Sequence, residues 1–265
     1  MVARRRAACV LTVPPSLIQR LRGATRVVVF TGAGVSAESG VPTFRDPQTG
    51  LWSRFDPMEL ATPTAFARDP DLIWGWYEWR RSMVARAAPN EAHRAIAAMA
   101  AVVPQLTLIT QNVDDLHERA GSRPVLHLHG RIARPYCASC LEPYALPQSG
   151  PHAPDTTRIR PPRCGACGGQ VRPGVVWFGE ALPDSEWRAA VAAAGACDAF
   201  FCVGTSSAVQ PAASLTGMAI RGGAVTVLVN PNPTEIDGDV SYALRGKAGT
   251  VLPSLVSQVW CPEPG

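Results

Sequence analysis

The sequence predicts an α/β fold: a doubly wound parallel sheet with a small zinc-binding domain inserted into it. Three observations carry that prediction. Short β-branched and aromatic runs alternate with helical stretches, and each run closes on Gly, Ser, Thr or Asn. The first run empties into a glycine-rich turn, TGAGVSAESGVPTFRD over Thr31 to Asp46. Two CxxC pairs, Cys137 with Cys140 and Cys164 with Cys167, supply four thiolates at a separation suited to one tetrahedral zinc ion.

Taken in order, Ser16 to Arg22 predicts a short helix and Arg26 to Phe30 a buried strand. Gly32 and Gly34 let the backbone approach a ligand, and the residues after them can start a helix whose free N–H groups face a phosphate. The spacing Gly32-Ala33-Gly34-Val35-Ser36-Ala37 is GxGxxA, which fits a pyrophosphate cradle or an ordinary tight turn. Gly40 to Pro47 reads as a loop at the mouth of the site, where Phe44 and Arg45 offer an apolar plate and a cation, or a packed anchor and an exposed arginine.

Asp69 and Pro70 open a helix that runs on to Ala87. Leu72, Ile73, Trp76, Trp79, Met83 and Val84 share its apolar sector, with Tyr77 and Arg80 at the edge or within it and Glu78 and Arg81 pointing elsewhere. A phenol and a guanidinium three residues apart could hold a small carboxylate, or simply stack. Glu91 to Val102 follows as a helix and Gln105 to Thr110 as a strand. The strand runs into Gln111, Asn112 and Asp114, a cluster suited to ribose and carboxamide contacts or to capping a helix from Asp114 to Ala120. Val125 to Gly130 is the next strand; His127 and His129 lie on one side of it, and pattern alone does not say which would be a base.

Beyond the cysteines the rhythm resumes with a strand at Gly174 to Phe178, a helix at Asp184 to Ala196, and a strand at Ala199 to Val203 ending on Gly204, Thr205 and Ser206. A helix from Pro211, a strand at Ala224 to Val229 ending on Asn230-Pro231-Asn232, and a last helix from Pro253 complete the chain.

The totals narrow the function. The 265 residues are 46% hydrophobic and 17% charged, a soluble globular composition, and the net charge of +4 comes from scattered arginines, so no nucleic-acid tract stands out. No run of eighteen apolar residues and no signal-peptide pattern occurs, so the expectation is a cytoplasmic protein without a membrane partner. Four thiolates close a coordination shell, so the zinc should be structural; a redox pair is the weaker alternative.

These residues together resemble the sirtuins, NAD-dependent protein-lysine deacylases. The resemblance runs from Thr31 to about Leu255 through GAGVSAESGVPTFRD, TQNVDDLHERAG, LHG, the four cysteines, VVWFGE, GTSSAVQP and VNPN. It implies one catalytic domain over 16–265. A Rossmann-like part would take in 16–45, 88–134 and 174–265, and a small part would join a helical stretch, 46–87, to the zinc module, 135–173. It further implies that NAD is held by Gly32, Ala33, Gly34, Ala37, Glu38, Phe44, Arg45, Trp52, Gln111, Asn112, Asp114, Gly204, Thr205, Ser206, Asn230, Asn232 and Ala248. His129, which immediately precedes the glycine, becomes the base, with Asn112 beside it. Val176, Phe178, Gly179 and Glu180 would take the extended backbone of an acylated peptide as an added strand.

In the implied reaction nicotinamide leaves as the acyl oxygen attacks the ribose, and His129 then removes a ribose hydroxyl proton. The products are free lysine and O-acyl-ADP-ribose. Tyr77 and Arg80 match the Tyr-x-x-Arg pattern of the branch that prefers succinyl-, malonyl- and glutaryl-lysine. A monomer acting on acylated lysine in proteins or peptides is expected. The alternatives are a general deacetylase, an ADP-ribosyltransferase on the same scaffold, or an NAD sensor without catalysis.

Overall fold

The computed structural model describes residues 12–43, 52–146 and 157–261. Phe44 and Arg45 lie outside them. Among the described residues the main sheet has six parallel strands, β1 (Arg26–Thr31), β2 (Gln105–Thr110), β3 (Val125–His127), β6 (Ala199–Val203), β7 (Val225–Asn230) and β8 (Tyr242–Arg245). Their spatial order is β3-β2-β1-β6-β7-β8. The chain therefore builds outward from β1 in one direction and returns to β1 to build in the other. The reversal falls between β1 and β6, and ligands of open α/β sheets bind at such a point, outside the carboxyl ends of the strands.

Both faces of the sheet are covered, as near-continuous apolar strands require. Val27 and Val29 face helices α1 (Pro15–Arg22), α6 (Glu91–Val102) and α10 (Ala248–Trp260) through Leu17, Ile96, Met99 and Leu252. Val28 and Phe30 face α8 (Asp184–Ala196) and α9 (Ser214–Arg221) through Ala190, Ala194, Leu215 and Ala219. A third apolar cluster joins Trp52 and Leu60 of one segment to Ile73, Trp76 and Tyr77 of α5 (Pro70–Arg86) and to Val175 and Trp177. Asp69 starts α5 as read from the sequence, its carboxylate accepting from the Leu72 N–H at 3.2 Å.

Several expectations need correction. Gly174 to Phe178 is not a strand of the sheet. Its backbone is spent on loops instead: the Val176 N–H donates to His129 O and the Phe178 N–H to Ala61 O, both at 2.9 Å. The segment thus threads between the sheet's edge and the helical cluster, and Trp177 to Glu180 closes as a turn with Gly179 at φ +89°. The helix expected from Pro211 starts at Ser214, and the last helix starts at Ala248 with Pro253 inside it. The helix expected over Asp114 to Ala120 contracts to α7 (Leu116–Arg119).

Arg81 does not point outward: it is 6% exposed, pairs with Glu78 and lies 5.2 Å from the Trp74 ring. Two short helices, α3 (Pro57–Leu60) and α4 (Pro63–Arg68), and the edge strand β8 were not anticipated.

Candidate functional site

The glycine turn follows β1 and leads into α2 (Gly34–Ala37). Its glycines are needed first for contact between two strand ends. The Gly34 N–H donates to Gly204 O at 2.8 Å and the Gly32 N–H to Val203 O at 3.0 Å. A Cβ on Gly32 would stand 2.7 Å from Thr205 Cβ, and Gly204 has φ +59°. The turns after β1 and β6 therefore lie backbone against backbone at the switch point, a closeness that side chains would prevent.

The carboxyl end of β2 brings a linked polar set to the same place. Ser36 Oγ donates to Asp114 Oδ2 at 2.9 Å and accepts from Asn112 Nδ2 at 3.0 Å. Asn112 and Asp114 are each 6% exposed, so this network fixes both side chains in a desolvated setting. Burial raises the Asp114 pKa above its ordinary value, against the bonds from the Leu116 N–H and Ser36. Gln111 Nε2 donates to Thr205 Oγ1 at 2.9 Å, which ties β2 to the loop after β6. Asn230 Nδ2 donates to Thr205 O at 2.9 Å, and Asn230 Oδ1 accepts from the Asn232 N–H at 3.2 Å.

His129 Nδ1 lies 2.9 Å from Gln111 O. A carbonyl can only accept, so Nδ1 carries the proton and Nε2 keeps its lone pair. Burial lowers the His129 pKa, with the Gln111 bond opposing, and the imidazole is neutral near pH 7. His127 lies behind this centre. Its Nδ1 is 3.1 Å from Asn112 O and its Nε2 is 2.7 Å from Glu118 Oε1, which Arg131 also meets at 3.2 Å.

Tyr77 and Arg80 both lie on α5. Tyr77 is 2% exposed and Arg80 7%. The Arg80 guanidinium lies 5.2 Å from the Trp76 ring. Burial lowers its pKa, and the phenol of Tyr77 and the carboxylate of Asp114 both act on it in the opposite sense.

Other expected residues fall differently. Trp52 is fully buried, with its ring against those of Phe55 and Trp79. The Glu38 carboxylate accepts from the Gly249 N–H at 2.9 Å, next to Ala248 at the start of α10, and Ala37 is exposed beside it. Ser206 is half-buried after β6, and Ala33 precedes α2. The Glu180 side chain turns inward, where its two oxygens accept from Arg172 at 2.5 and 2.8 Å. The segment expected to take the peptide ends in the turn Trp177 to Glu180, where Phe178 is an exposed apolar side chain. Ser36, His127, Arg172 and Trp177 were not assigned from sequence, although Ser36 and Trp177 stand inside the motifs.

The metal centre is built on a hairpin, β4 (Tyr136–Cys137) antiparallel to β5 (Val171–Arg172). The Sγ atoms of Cys137, Cys140, Cys164 and Cys167 all lie within 4.8 Å of one another, with Cys137 to Cys167 at 3.5 Å and Cys140 to Cys164 at 3.6 Å. Zinc–sulfur bonds of about 2.3 Å at tetrahedral angles place sulfurs about 3.8 Å apart, so the donor set fits zinc. The N–H groups of Ser139 and Gly169 point at Cys137 and Cys167 sulfur, each at 3.4 Å, as they do towards thiolates. Four cysteines leave no coordination position for substrate, and the zinc is structural.

The model of the Sir2 family matches residues 32–211. The chain is 58% identical over 247 residues to NAD-dependent protein deacylase 1 of Pseudomonas aeruginosa, covering 92% of this chain and 98% of that protein. It is 57% identical over 241 residues to the NAD-dependent protein deacylase of Methylococcus capsulatus, covering 91% and 94%. Among solved structures, a Sir2 homolog–NAD complex superposes with a TM-score of 0.86 at 45% identity, covering 94% of each chain. A Sir2–p53 peptide–NAD+ complex gives 0.79 at 27% identity, covering 92% and 97%. The chain belongs to the Sir2 family. Among the described residues no helix is long and apolar enough to cross a membrane.

Proposed function

We propose that this NAD-dependent protein deacylase removes succinyl and malonyl groups from lysine side chains, and acetyl more weakly, giving nicotinamide, O-acyl-ADP-ribose and free lysine. The deacylase class rests on family membership and on the names of its bacterial relatives. The acyl preference rests on one observation: Tyr77 and Arg80 stand buried together, three residues apart on one face of α5.

Bound NAD would supply an electrophilic ribose carbon and nicotinamide as the leaving group. The glycine turn, Gln111, Asn112, Asp114, Thr205, Ser206 and Asn230 would hold it along the carboxyl ends of β1, β2, β6 and β7. Ser36 orients Asn112 and Asp114 at once. His129 offers Nε2 to a ribose hydroxyl proton, with its tautomer set by Gln111 O. The hydrogen bond from the Val176 N–H to His129 O ties the peptide-binding segment to the base.

A guanidinium and a phenol in apolar walls recognise a carboxylate by charge-assisted bonds worth roughly 1.5–3 kcal/mol. Succinyl-lysine is therefore expected to exceed acetyl-lysine in kcat/KM by about ten- to a hundredfold on the same peptide. Arg80→Met should erase that margin while deacetylation persists, because an acetyl group merely underfills the pocket. A wild type that prefers acetyl, or an Arg80→Met variant that keeps the succinyl margin, would show that the pair is only a packed helix face.

A further inference from the structure

Tyr77 does not stand alone against Arg80. The indole Nε1–H of Trp177 donates to the Tyr77 hydroxyl oxygen at 3.1 Å, inside the buried cluster. An indole nitrogen is a donor only, so the phenol must be the acceptor in this bond. Its own proton is then left for a different acceptor. Burial raises the Tyr77 pKa well above its ordinary value, which keeps that proton in place throughout the neutral range.

Trp177 is itself held from three sides. Its backbone N–H donates to Glu180 Oε2 at 2.8 Å, the Arg172 guanidinium lies 3.6 Å over its ring, and Phe66 packs at 5.3 Å between centroids. Arg172 in turn grips both oxygens of Glu180 and donates to Val175 O at 3.0 Å. Arg172 ends β5, next to Val171, which pairs with the zinc-site residue Cys137. A continuous clasp therefore runs from the metal hairpin through Arg172 and Glu180 to Trp177, and from its indole to Tyr77.

We propose that Trp177 is the positioning residue for recognition of the acyl carboxylate. By donating to the Tyr77 oxygen it holds the phenol in place and leaves the O–H to donate to a carboxylate beside Arg80. This rests on the carboxylate-binding reading of Tyr77 and Arg80. The specificity of the acyl pocket then depends on a residue outside the Tyr-x-x-Arg pair and on the clasp that holds it.

The test compares succinyl and acetyl forms of one lysine peptide at saturating NAD, in wild type, Arg80→Met, Trp177→Phe, Tyr77→Phe and the double Trp177→Phe/Tyr77→Phe variant. Phenylalanine keeps an aromatic plane under Arg172 but removes the donor. The succinyl-to-acetyl ratio of kcat/KM should fall five- to thirtyfold in Trp177→Phe, chiefly through KM for the succinyl peptide. It should fall no further in the double variant than in Tyr77→Phe, because the two residues act as one unit. Retention of the wild-type ratio in Trp177→Phe, or losses that multiply in the double variant, overturns the proposal. Should Trp177→Phe fail to fold, Arg172→Lys loosens the same clasp, and a ratio that falls less than threefold there overturns it equally. Absence of a succinyl preference in wild type, or its survival in Arg80→Met, is a separate result that removes the carboxylate reading and this one with it.

Discussion

Replacing His129 by alanine is expected to lower kcat/KM by about 10²- to 10⁴-fold, the span of positioned general-base catalysis, while NAD still binds. The reason lies in the bond to Gln111 O. It fixes Nδ1 as the protonated nitrogen, so the alanine variant loses the only lone pair that the residue offers. Because burial holds the His129 pKa below the ordinary histidine value, the wild-type rate should decline on the acid side, as pH falls through that lowered value. The active form is the neutral imidazole, so the loss is on the acid side. A pH–rate profile together with NAD binding by calorimetry checks both parts. An alanine variant within tenfold of wild type would remove His129 from the chemistry.

Loss of the zinc site is expected to have the second large effect. Cys164→Ser removes one of four ligands from a hairpin that has only two short strands of its own. Structural zinc supplies folding energy directly, and its loss belongs among the changes that cost more than about 4 kcal/mol. At roughly 2 °C per kcal/mol for a chain of this size, the fall in Tm is about 8 °C or more. The damage should spread, because Arg172 at the end of β5 holds the Trp177 to Glu180 turn. Elemental analysis should find one zinc per wild-type chain and much less in the variant, with deacylation falling at least tenfold. A variant without zinc that keeps its Tm and activity would contradict a structural role.

The central strands and the long helices were legible because their signals are local. Arg26–Thr31 and Ala199–Val203 are apolar runs buried almost throughout, Gln105–Thr110 is buried over its last three residues, and α6 spans Glu91–Val102 as expected. The cysteine spacing likewise specified a metal centre before any coordinates. What was missed is set by tertiary contact. Val175 to Phe178 has the composition of a strand, yet its hydrogen bonds go to His129 and Ala61 and not to a sheet. Pro253 resembles a helix start, but α10 begins five residues earlier, where Glu38 meets the Gly249 N–H.

Among the site residues, Tyr77 and Arg80 stood out because both lie on one apolar helix face. Ser36 gave only a weak signal, a small polar residue after the glycines, and its bonds to Asn112 and Asp114 span 76 and 78 residues of sequence. Trp177 is a core residue, and its bond to Tyr77, 100 residues away, is visible only in three dimensions. Asp56 and Thr62, each followed by proline, were readable caps for α3 and α4, with side chains that accept from Met58 and Ala65 N–H.

Counting products by mass spectrometry tests the proposed reaction most directly. A succinyl-lysine peptide and NAD are mixed with the purified protein, and nicotinamide, O-succinyl-ADP-ribose and unmodified peptide are followed together. The predicted result is equal amounts of all three, formed at one rate and absent without NAD. Nicotinamide released without freed lysine, or ADP-ribose found attached to the peptide or the protein, would contradict deacylation.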